Sequence, residues 1–285
     1  MISVPDDDRL ARVLLCRVAE PGEVDLTRAV AARGAISVVR DLVDGTLQSR
    51  NAEHWRARLP SARPAHDLAA AQAVGARFVI PGDAEWPAGA GDLAHLASGH
   101  GGVPIGLWVR GEHDLNAACA RSGAVVGARA STAYGEYVAS EFALGMAERG
   151  WGVVSGGAYG IDGAAHRGAI SAGGVTVAVL ACGVDVAYPR GHSALIERIA
   201  TSGLVVSEWP PGCAPMRHRF LVRNRVIAAL TAGTVVVEAA VRSGSLSTAN
   251  RAGELMRHVM AVPGPITSTM SAGTTSGAGS MPGSK

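Results

Sequence analysis

The segment Gly152–Asp162, with the sequence GVVSGGAYGID, decides the fold because it joins a short apolar run to a helical pattern through a glycine-rich turn. The run Gly152–Val154 fits a buried β-strand, and residues 161–172 repeat at the spacing of a helix. A strand followed by a tight turn and a helix is half of a βαβ unit. The segment therefore predicts an α/β protein with a parallel sheet.

The same alternation continues on both sides of this segment. Further apolar runs predict strands at residues 77–82 and 106–111 and at Ala124–Val126, Val175–Ala181, Leu204–Val206, Val235–Val237 and Val259–Val262. Helical patterns fill the gaps at residues 132–149, 191–201, 224–231 and 246–257. Short strands that alternate with helices predict a Rossmann-like, doubly wound and mostly parallel sheet with helices on both faces.

Two flanking regions differ in character from this repeat. Residues 1–65 contain helical patterns separated by Pro21 and Gly22 and predict a small helical domain. The Rossmann-like domain is then expected over residues 70–267. Residues 268–285 are rich in Ser, Thr, Gly and Pro and predict a disordered, low-complexity tail.

Composition excludes several classes of site. The formal net charge of +2 does not by itself indicate a polyanionic partner. The only lysine is Lys285, so a Walker A loop or a pyridoxal Schiff base has no lysine in the body of the chain. The four cysteines are too scattered for a metal finger and are expected to be reduced thiols. We expect neither a cofactor nor a bound metal.

The sequence shows neither a signal-peptide pattern nor a run long enough for a transmembrane helix. Acidic residues at positions 6–8 have the wrong polarity for a signal peptide. The longest nearly apolar run, Gly173–Val184, is too short to cross a bilayer. A soluble, cytoplasmic protein without a membrane segment is expected.

The turn Ser155–Asp162 is a candidate anion site. Ligands of open parallel sheets bind beyond the carboxyl ends of the strands, and glycines let backbone N–H groups approach a phosphate at a helix start. The spacing is GGxxG rather than GxGxxG, so a nicotinamide dinucleotide is not indicated. The glycines would equally serve a turn that binds nothing, and both interpretations stay open.

Positive charge is concentrated in the segment Arg217–Arg225, RHRFLVRNR. We expect Asn224 to be the N-cap of the next helix, which would crowd these arginines at the positive end of a helix dipole. A bound anion would relieve that repulsion, and Arg129 and Arg242 would add to the same field. The alternative is a solvated basic loop, or ion pairs with nearby carboxylates.

Three other polar residues deserve a hypothesis. Asp162 and His166 are four residues apart on a predicted helix and can face the same way. They would be either acid–base or metal partners or a histidine hydrogen-bonded by the aspartate, with the second favoured. Glu238 follows a predicted strand and would be either catalytic or a partner that organises the arginines, with the second favoured. Hydrolase motifs such as GxSxG and HExxH are absent from the sequence.

Taken in order, these segments resemble the DNA-processing protein A family (DprA, also called Smf). The matching motifs are Val126–Arg129, Ser155–Asp162 with His166, Cys182–Asp185 with Tyr188 and Pro189, Ser207–Gly212, Phe220–Leu230, Val237–Ala239, Ser243–Leu246 and Ala261–Gly264. They cover about residues 75 to 266. The helical region before them is similar to the SAM-like domain of the family.

The resemblance implies a protein that binds single-stranded DNA, forms a homodimer and loads a RecA-type recombinase onto incoming DNA in natural transformation. It implies no catalytic residue. The residues expected at the DNA are Arg129, Ser155, Gly156, Gly157, Tyr159, Gly160, Asp162, His166, Arg219, Arg223, Asn224, Arg225, Ser243, Gly244 and Ser245.

The sequence departs from the family pattern at three places. Tyr159 stands where members often carry a basic residue, and it offers a stacking face in place of a phosphate contact. Leu221 replaces a proline that usually follows the phenylalanine. Many members continue into a winged-helix-like domain, for which residues up to Lys285 show no counterpart.

A second hypothesis from another class is an enzyme. The fold is similar to that of LOG-type phosphoribohydrolases, which release bases from nucleotides and carry a catalytic glutamate in a PGGxGTxxE motif. The comparable segment here, Ser243–Thr248, has no carboxylate at that place. Glu238 would be the remaining candidate, and the DNA-binding hypothesis is favoured.

Overall fold

The computed structural model describes residues 4–96, 101–264, 268–270 and 273. Within these residues the strands are β1 (Ala76–Val79), β2 (Leu107–Arg110), β3 (Ser122–Val126), β4 (Gly152–Ser155), β5 (Thr176–Leu180), β6 (Leu204–Ser207), β7 (Gly233–Val236) and β8 (His258–Ala261). The helices are α1 (Asp8–Val18), α2 (Val24–Arg33), α3 (Ala35–Asp44), α4 (Ala52–Arg58), α5 (Pro64–Ala73), α6 (Leu115–Ala120), α7 (Ala133–Glu148), α8 (Ile161–Ser171), α9 (Ser193–Ser202), α10 (Arg217–Ala229) and α11 (Ser245–Glu254).

The strands form one sheet in the order β1-β2-β6-β5-β4-β3-β7-β8. The six strands from β6 to β8 pair in parallel, whereas β2 pairs antiparallel with both β1 and β6. The chain winds from β3 outward to β6 and then returns to β7 on the other side of β3. The connections after β3 and β7 therefore leave in opposite directions, which opens a crevice at their carboxyl ends.

Helices cover both faces of the sheet, because consecutive residues of each strand point to opposite sides. In β5, Val177 and Val179 pack in the cluster that includes α10, whereas Ala178 and Leu180 pack in the cluster that includes α9. α7 and α8 lie side by side, and a Cβ added at Gly168 would overlap the backbone of Ser140. The predicted α/β fold, doubly wound and mostly parallel, is confirmed.

The N-terminal helices have a core of their own and also rest on the sheet. Trp55 and Leu15 belong to a cluster made by the first four helices, while Val13 of α1 packs with Phe78 and Trp108 of β1 and β2. Helical structure continues through α5 to Ala73, eight residues beyond the predicted limit of 65. The boundary between the two domains remains a prediction.

Besides the unpredicted helices α5 and α6, the predicted secondary structure is wrong at the segment Arg217–Arg225. Asn224 is not an N-cap, because α10 begins at Arg217 and continues through Asn224 to Ala229. Arg219 and Arg223 occupy inward positions of this helix that apolar residues usually hold. The apolar pattern therefore becomes visible only near Val226, about two and a half turns after the helix begins.

Two further expectations concern the ends and the membrane. Most of the predicted tail, 268–285, lies outside the described residues, but the N–H of Ala239 donates to the carbonyl of Met270 at 2.8 Å. No helix among the described residues has both the length and the apolar character needed to cross a bilayer.

Candidate nucleic-acid interface

A cavity of about 320 Å³ lies in the crevice between the carboxyl ends of β3 and β7. We call it the switch-point cavity. Its walls come from the turn after β3, the turn after β4, the inner side of α10 and the start of α11. The lining residues that carry polar or aromatic groups are Arg129, Asp162, Phe220, Arg223, Asn224, Ser243, Ser245 and Thr248.

Arg223 lies at the back of the cavity, with only 4% of its surface exposed. Its Nη1 donates to the carbonyl of Gly156 at 2.7 Å and to that of Val179, and its Nε donates to Asn224 Oδ1 at 3.2 Å. Its Nη2 makes no hydrogen bond to any residue that the structure describes. Burial lowers the Arg223 pKa to about 10, so the group remains a cation at neutral pH.

Gly156 is required at the turn because the Arg223 guanidinium packs directly against it. A Cβ at residue 156 would overlap the Nη1, Nη2 and Cζ atoms of Arg223. Gly157 and Gly160 have φ values of +70° and +73°, which residues with a side chain rarely adopt. The glycines thus serve the shape of the turn and the approach of an arginine.

Arg129 supplies a second cation at the mouth of the cavity. Its Cζ lies 4.5 Å from the centroid of the Phe220 ring, which is the geometry of a cation–π contact. The side chain is exposed, and no carboxylate of the described residues forms an ion pair with it. Phe220 itself was not among the predicted contacts, although its place between two arginines of a basic segment was a usable signal.

The start of α11 forms the opposite wall. Asn224 Nδ2 donates to the carbonyl of Gly244 at 3.1 Å, so α10 is tied to this turn. The hydroxyls of Ser243 and Ser245 lie 2.7 Å apart and both residues line the cavity. The positive end of the α11 dipole therefore adds to the field of the two arginines.

Two amides of the glycine turn are already used inside the protein. The N–H groups of Gly156 and Ala158 donate to Asp162 Oδ2 at 3.2 and 3.3 Å. Burial raises the pKa of Asp162, while the Arg223 charge and these donors oppose that rise. An internal carboxylate thus takes two of the donors on which the phosphate interpretation of the turn depends.

His166 is not bonded by Asp162, so that predicted pair is wrong. Its Nδ1 lies 2.7 Å from Thr176 Oγ1, whose hydroxyl donates to the Val153 carbonyl, so the ring nitrogen is the donor. Burial lowers the His166 pKa to about 3, and the ring is neutral. Ser155 is also internal, since its hydroxyl donates to the Val125 carbonyl at 2.6 Å. Neither side chain reaches the cavity.

Two of the predicted arginines are neutralised by carboxylates. Arg225 is fully buried and forms a two-pronged pair with Glu208, with both N–O distances at 2.8 Å. Arg219 donates to Glu20 at 2.6 and 3.2 Å, and Glu20 lies in the loop between α1 and α2. The carboxylate of Glu20 supplies the negative charge that the start of α10 needed, so no bound anion is required there.

Glu238 neither organises the arginines nor stands free. Its two oxygens accept hydrogen bonds from the N–H and the hydroxyl of Thr132 at 2.9 and 2.6 Å, at the start of α7. A Cβ at Gly135 would overlap this carboxylate. The glutamate therefore anchors a helix start to the end of β7, and no observation favours the enzyme hypothesis.

Tyr159 lies outside the cavity, on the rim formed by the glycine turn, and 46% of its surface is exposed. The structure thus brings together Arg129, Asp162, Arg223, Asn224 and the segment 243–245. It does not bring the side chains of Ser155, His166, Arg219 and Arg225 to the same place.

Comparisons with known proteins agree with this geometry. A sequence model of the family described as DNA recombination-mediator protein A matches residues 77–279. The putative DNA processing protein DprA of Mycobacterium tuberculosis is 48% identical over 275 residues, which cover 94% of this chain and 70% of that protein.

Two solved structures are also similar. The DNA processing protein A structure from Streptococcus pneumoniae gives a TM-score of 0.79 at 30% identity, over 97% of this chain and 93% of that one. The Helicobacter pylori protein, whose structure concerns its single-stranded DNA binding mode, gives a TM-score of 0.60 at 25% identity, over 71% of this chain and 88% of that one.

Proposed function

This chain belongs to the DNA recombination-mediator protein A family, and from that premise we propose that it binds single-stranded DNA in the switch-point cavity. The observation that carries the proposal is the convergence of Arg129 and Arg223 on one crevice without a neutralising ion pair at Arg129. The backbone of a single strand would meet both cations. The Phe220 ring would then give a base a surface for stacking.

We expect the affinity of this site for single strands to depend little on their base sequence. Guanidinium groups and serine hydroxyls bind phosphates of any strand, and an aromatic face accepts any base. A duplex hides its base faces, so single strands are expected to bind more tightly than duplexes.

The direct test is fluorescence anisotropy with labelled single-stranded and double-stranded oligonucleotides across a salt titration. The slope of log K against log salt should be about −0.7 per phosphate contact. Arg129→Ala is expected to weaken binding to all single strands alike and to reduce the slope by about 0.7.

Arg40→Ala provides the matched control for that variant. Arg40 is also exposed and has no ion pair with a carboxylate of the described residues, but it lies on α3, outside both the cavity and the groove proposed for the dimer. Equal effects of the two substitutions would show that binding follows total charge rather than the cavity.

We further propose that the protein acts as a recombination mediator, loading a RecA-type recombinase onto incoming strands in natural transformation. Membership of the family supports this role. The test follows recombinase filament assembly on single strands already covered by a single-strand-binding protein. Faster assembly in the presence of this protein is expected, and no change would remove the role while leaving DNA binding intact.

Self-association into a homodimer is part of the proposal. The edge strand β8 and α7 border an apolar groove of about 620 Å³ lined by Phe142, Met146, Trp151 and Met260. An exposed strand edge beside an apolar groove is a surface that a second copy of the chain would cover. Light scattering during gel filtration should give twice the mass of the chain, and a monomer at micromolar concentration would contradict it.

The proposal places the function in binding rather than catalysis. Glu238 is engaged by Thr132 on both oxygens, which supports this choice. Incubation with adenosine monophosphate should release no free adenine. Release that disappears in Glu238→Gln would instead favour the phosphoribohydrolase hypothesis.

A further inference from the structure

An exposed tyrosine ring next to the switch-point cavity is held in one orientation. Tyr159 Oη accepts a hydrogen bond from the Gly191 N–H at 3.1 Å. The ring meets the His192 ring edge to face, with centroids 4.7 Å apart and planes at 73°. His192 is buried and its Nδ1 lies 3.1 Å from the Gly157 carbonyl. The ring is therefore fixed at its tip and along its edge.

The Tyr159 ring packs against Gly191, which has no side chain. A Cβ added at Gly191 would lie 2.5 Å from Tyr159 Oη and 3.2 Å from Cε1. Gly191 has no positive φ, so its backbone does not need glycine. A side chain at 191 would therefore push the tyrosine ring out of its place.

Position and charge connect this ring to the cavity. Ala158, which precedes the tyrosine, lines the cavity, and a Cβ at Gly160, which follows it, would lie 2.7 Å from the Arg129 carbonyl oxygen. Arg190 precedes Gly191, is exposed, and has no ion pair with any carboxylate of the described residues. An exposed aromatic ring thus follows a residue that lines the cavity, and the exposed Arg190 precedes the glycine on which that ring packs.

We propose that Tyr159 is a second base-stacking position for a single strand, taking the base of a nucleotide that neighbours the one in the cavity, with Arg190 on its phosphate. The inference rests on the proposed DNA-binding function and assigns a subsite to it. Stacking on a ring that is already fixed costs little side-chain entropy, and stacking is tolerant of sequence.

The test separates bases from backbone. Two fluorescent probes of about 20 nucleotides, longer than usual site sizes, are compared: an oligothymidylate and a fully abasic deoxyribose-phosphate chain. Tyr159→Ala should weaken binding of the thymidylate by about 5- to 150-fold and leave binding of the abasic chain unchanged. The salt slope should stay the same, because no phosphate contact is lost. Tyr159→Phe should bind nearly like the original protein.

Two further variants test the packing of Tyr159 on Gly191 and whether the effect is specific to this ring. Gly191→Ala keeps the tyrosine but displaces it, so it should reproduce part of the loss on the thymidylate alone. His54→Ala removes an exposed ring on α4, away from both the switch-point cavity and the apolar groove, and should change neither affinity. Thermal melting checks that all four variants are folded.

The outcomes are distinct. Equal losses on both probes would give Tyr159 a backbone or structural role and overturn the inference, as would an unchanged affinity for the thymidylate. If the original protein bound neither probe, the proposed function would fail, and this subsite with it. Tight binding by the original protein with an indifferent Tyr159→Ala would remove the subsite alone.

Discussion

Arg223 and Arg225 are two residues apart on α10, yet one lines the switch-point cavity and the other is sealed against Glu208. Two residues correspond to about 200° around a helix, so the two side chains leave from opposite sides. Arg223 keeps one nitrogen without a described protein partner, whereas both terminal nitrogens of Arg225 are paired at 2.8 Å. Arg223 thus keeps a nitrogen that could meet a ligand, although the Asp162 carboxylate acts on its charge, whereas the terminal nitrogens of Arg225 are taken by Glu208.

The largest effect is expected at the sealed arginine. Arg225→Ala leaves the Glu208 carboxylate buried without its partner, which should lower the free energy of unfolding by about 3–5 kcal/mol. Urea denaturation followed by circular dichroism measures it. Replacing the pair together, Arg225→Met with Glu208→Leu, should recover most of the loss. If Arg225→Ala instead reduced DNA binding without loss of stability, Arg225 would have a role at the DNA, and its contrast with Arg223 would be wrong.

The second largest effect is expected from a substitution that moves Arg223 without removing its charge. Gly156→Ala places a methyl group where the Arg223 guanidinium lies, so that side chain must move. Single-strand affinity measured by anisotropy should fall about tenfold. Gly253→Ala on α11 is the matched control, because a Cβ there meets no atom within 4 Å. Similar losses in both variants would mean that Arg223 does not hold the strand.

A smaller effect concerns pH and the buried His166. Its ordinary pKa of 6.5 falls to about 3 in the folded protein, so stability is full above pH 6.5 and decreases as the unfolded chain takes up a proton below it. Between pH 7 and pH 5 this group should cost about 1–2 kcal/mol of unfolding free energy. His166→Gln should show a shallower decrease in urea midpoints over that range. Parallel decreases in both proteins would refute the neutral, buried histidine.

The smallest effect is expected at the partly exposed pair between Glu20 and Arg219. Glu20→Gln keeps the size of the side chain but removes its charge, and should cost about 1 kcal/mol of stability. Thermal melting measures this loss. DNA affinity should change by less than about twofold, because Arg219 lies outside the cavity. A clear gain in affinity would show that a released Arg219 reaches the strand.

The fold was predictable from sequence because its signals are local. Each strand of the parallel core is a run such as Val153 and Val154 that fits only a buried strand between helices, and Gly157 and Gly160 mark the turn. The wrong start of α10 arose because arginines hold inward positions of that helix. Charge on the inner side of a helix hides the periodicity on which such predictions depend.

The site was predictable only in part, because partners of charged groups are not local. Arg219 and Glu20 are 199 residues apart, and no spacing rule connects them. Glu208 is 17 residues from Arg225 and was read as part of a motif rather than as its ion-pair partner. Arg129, Arg223 and the segment 243–245 were placed correctly at one sheet edge because they follow strands or line the helix beside them.

The carboxylate of Asp162 on the amides of Gly156 and Ala158 has a consequence for how a strand would arrive. A loop that becomes ordered only when phosphate binds loses conformational entropy on binding, and this loss lowers the affinity. Here the Asp162 carboxylate already accepts hydrogen bonds from two amides of the glycine turn, so the turn is held in shape before any nucleic acid approaches. Capture should then be quick and largely free of rearrangement.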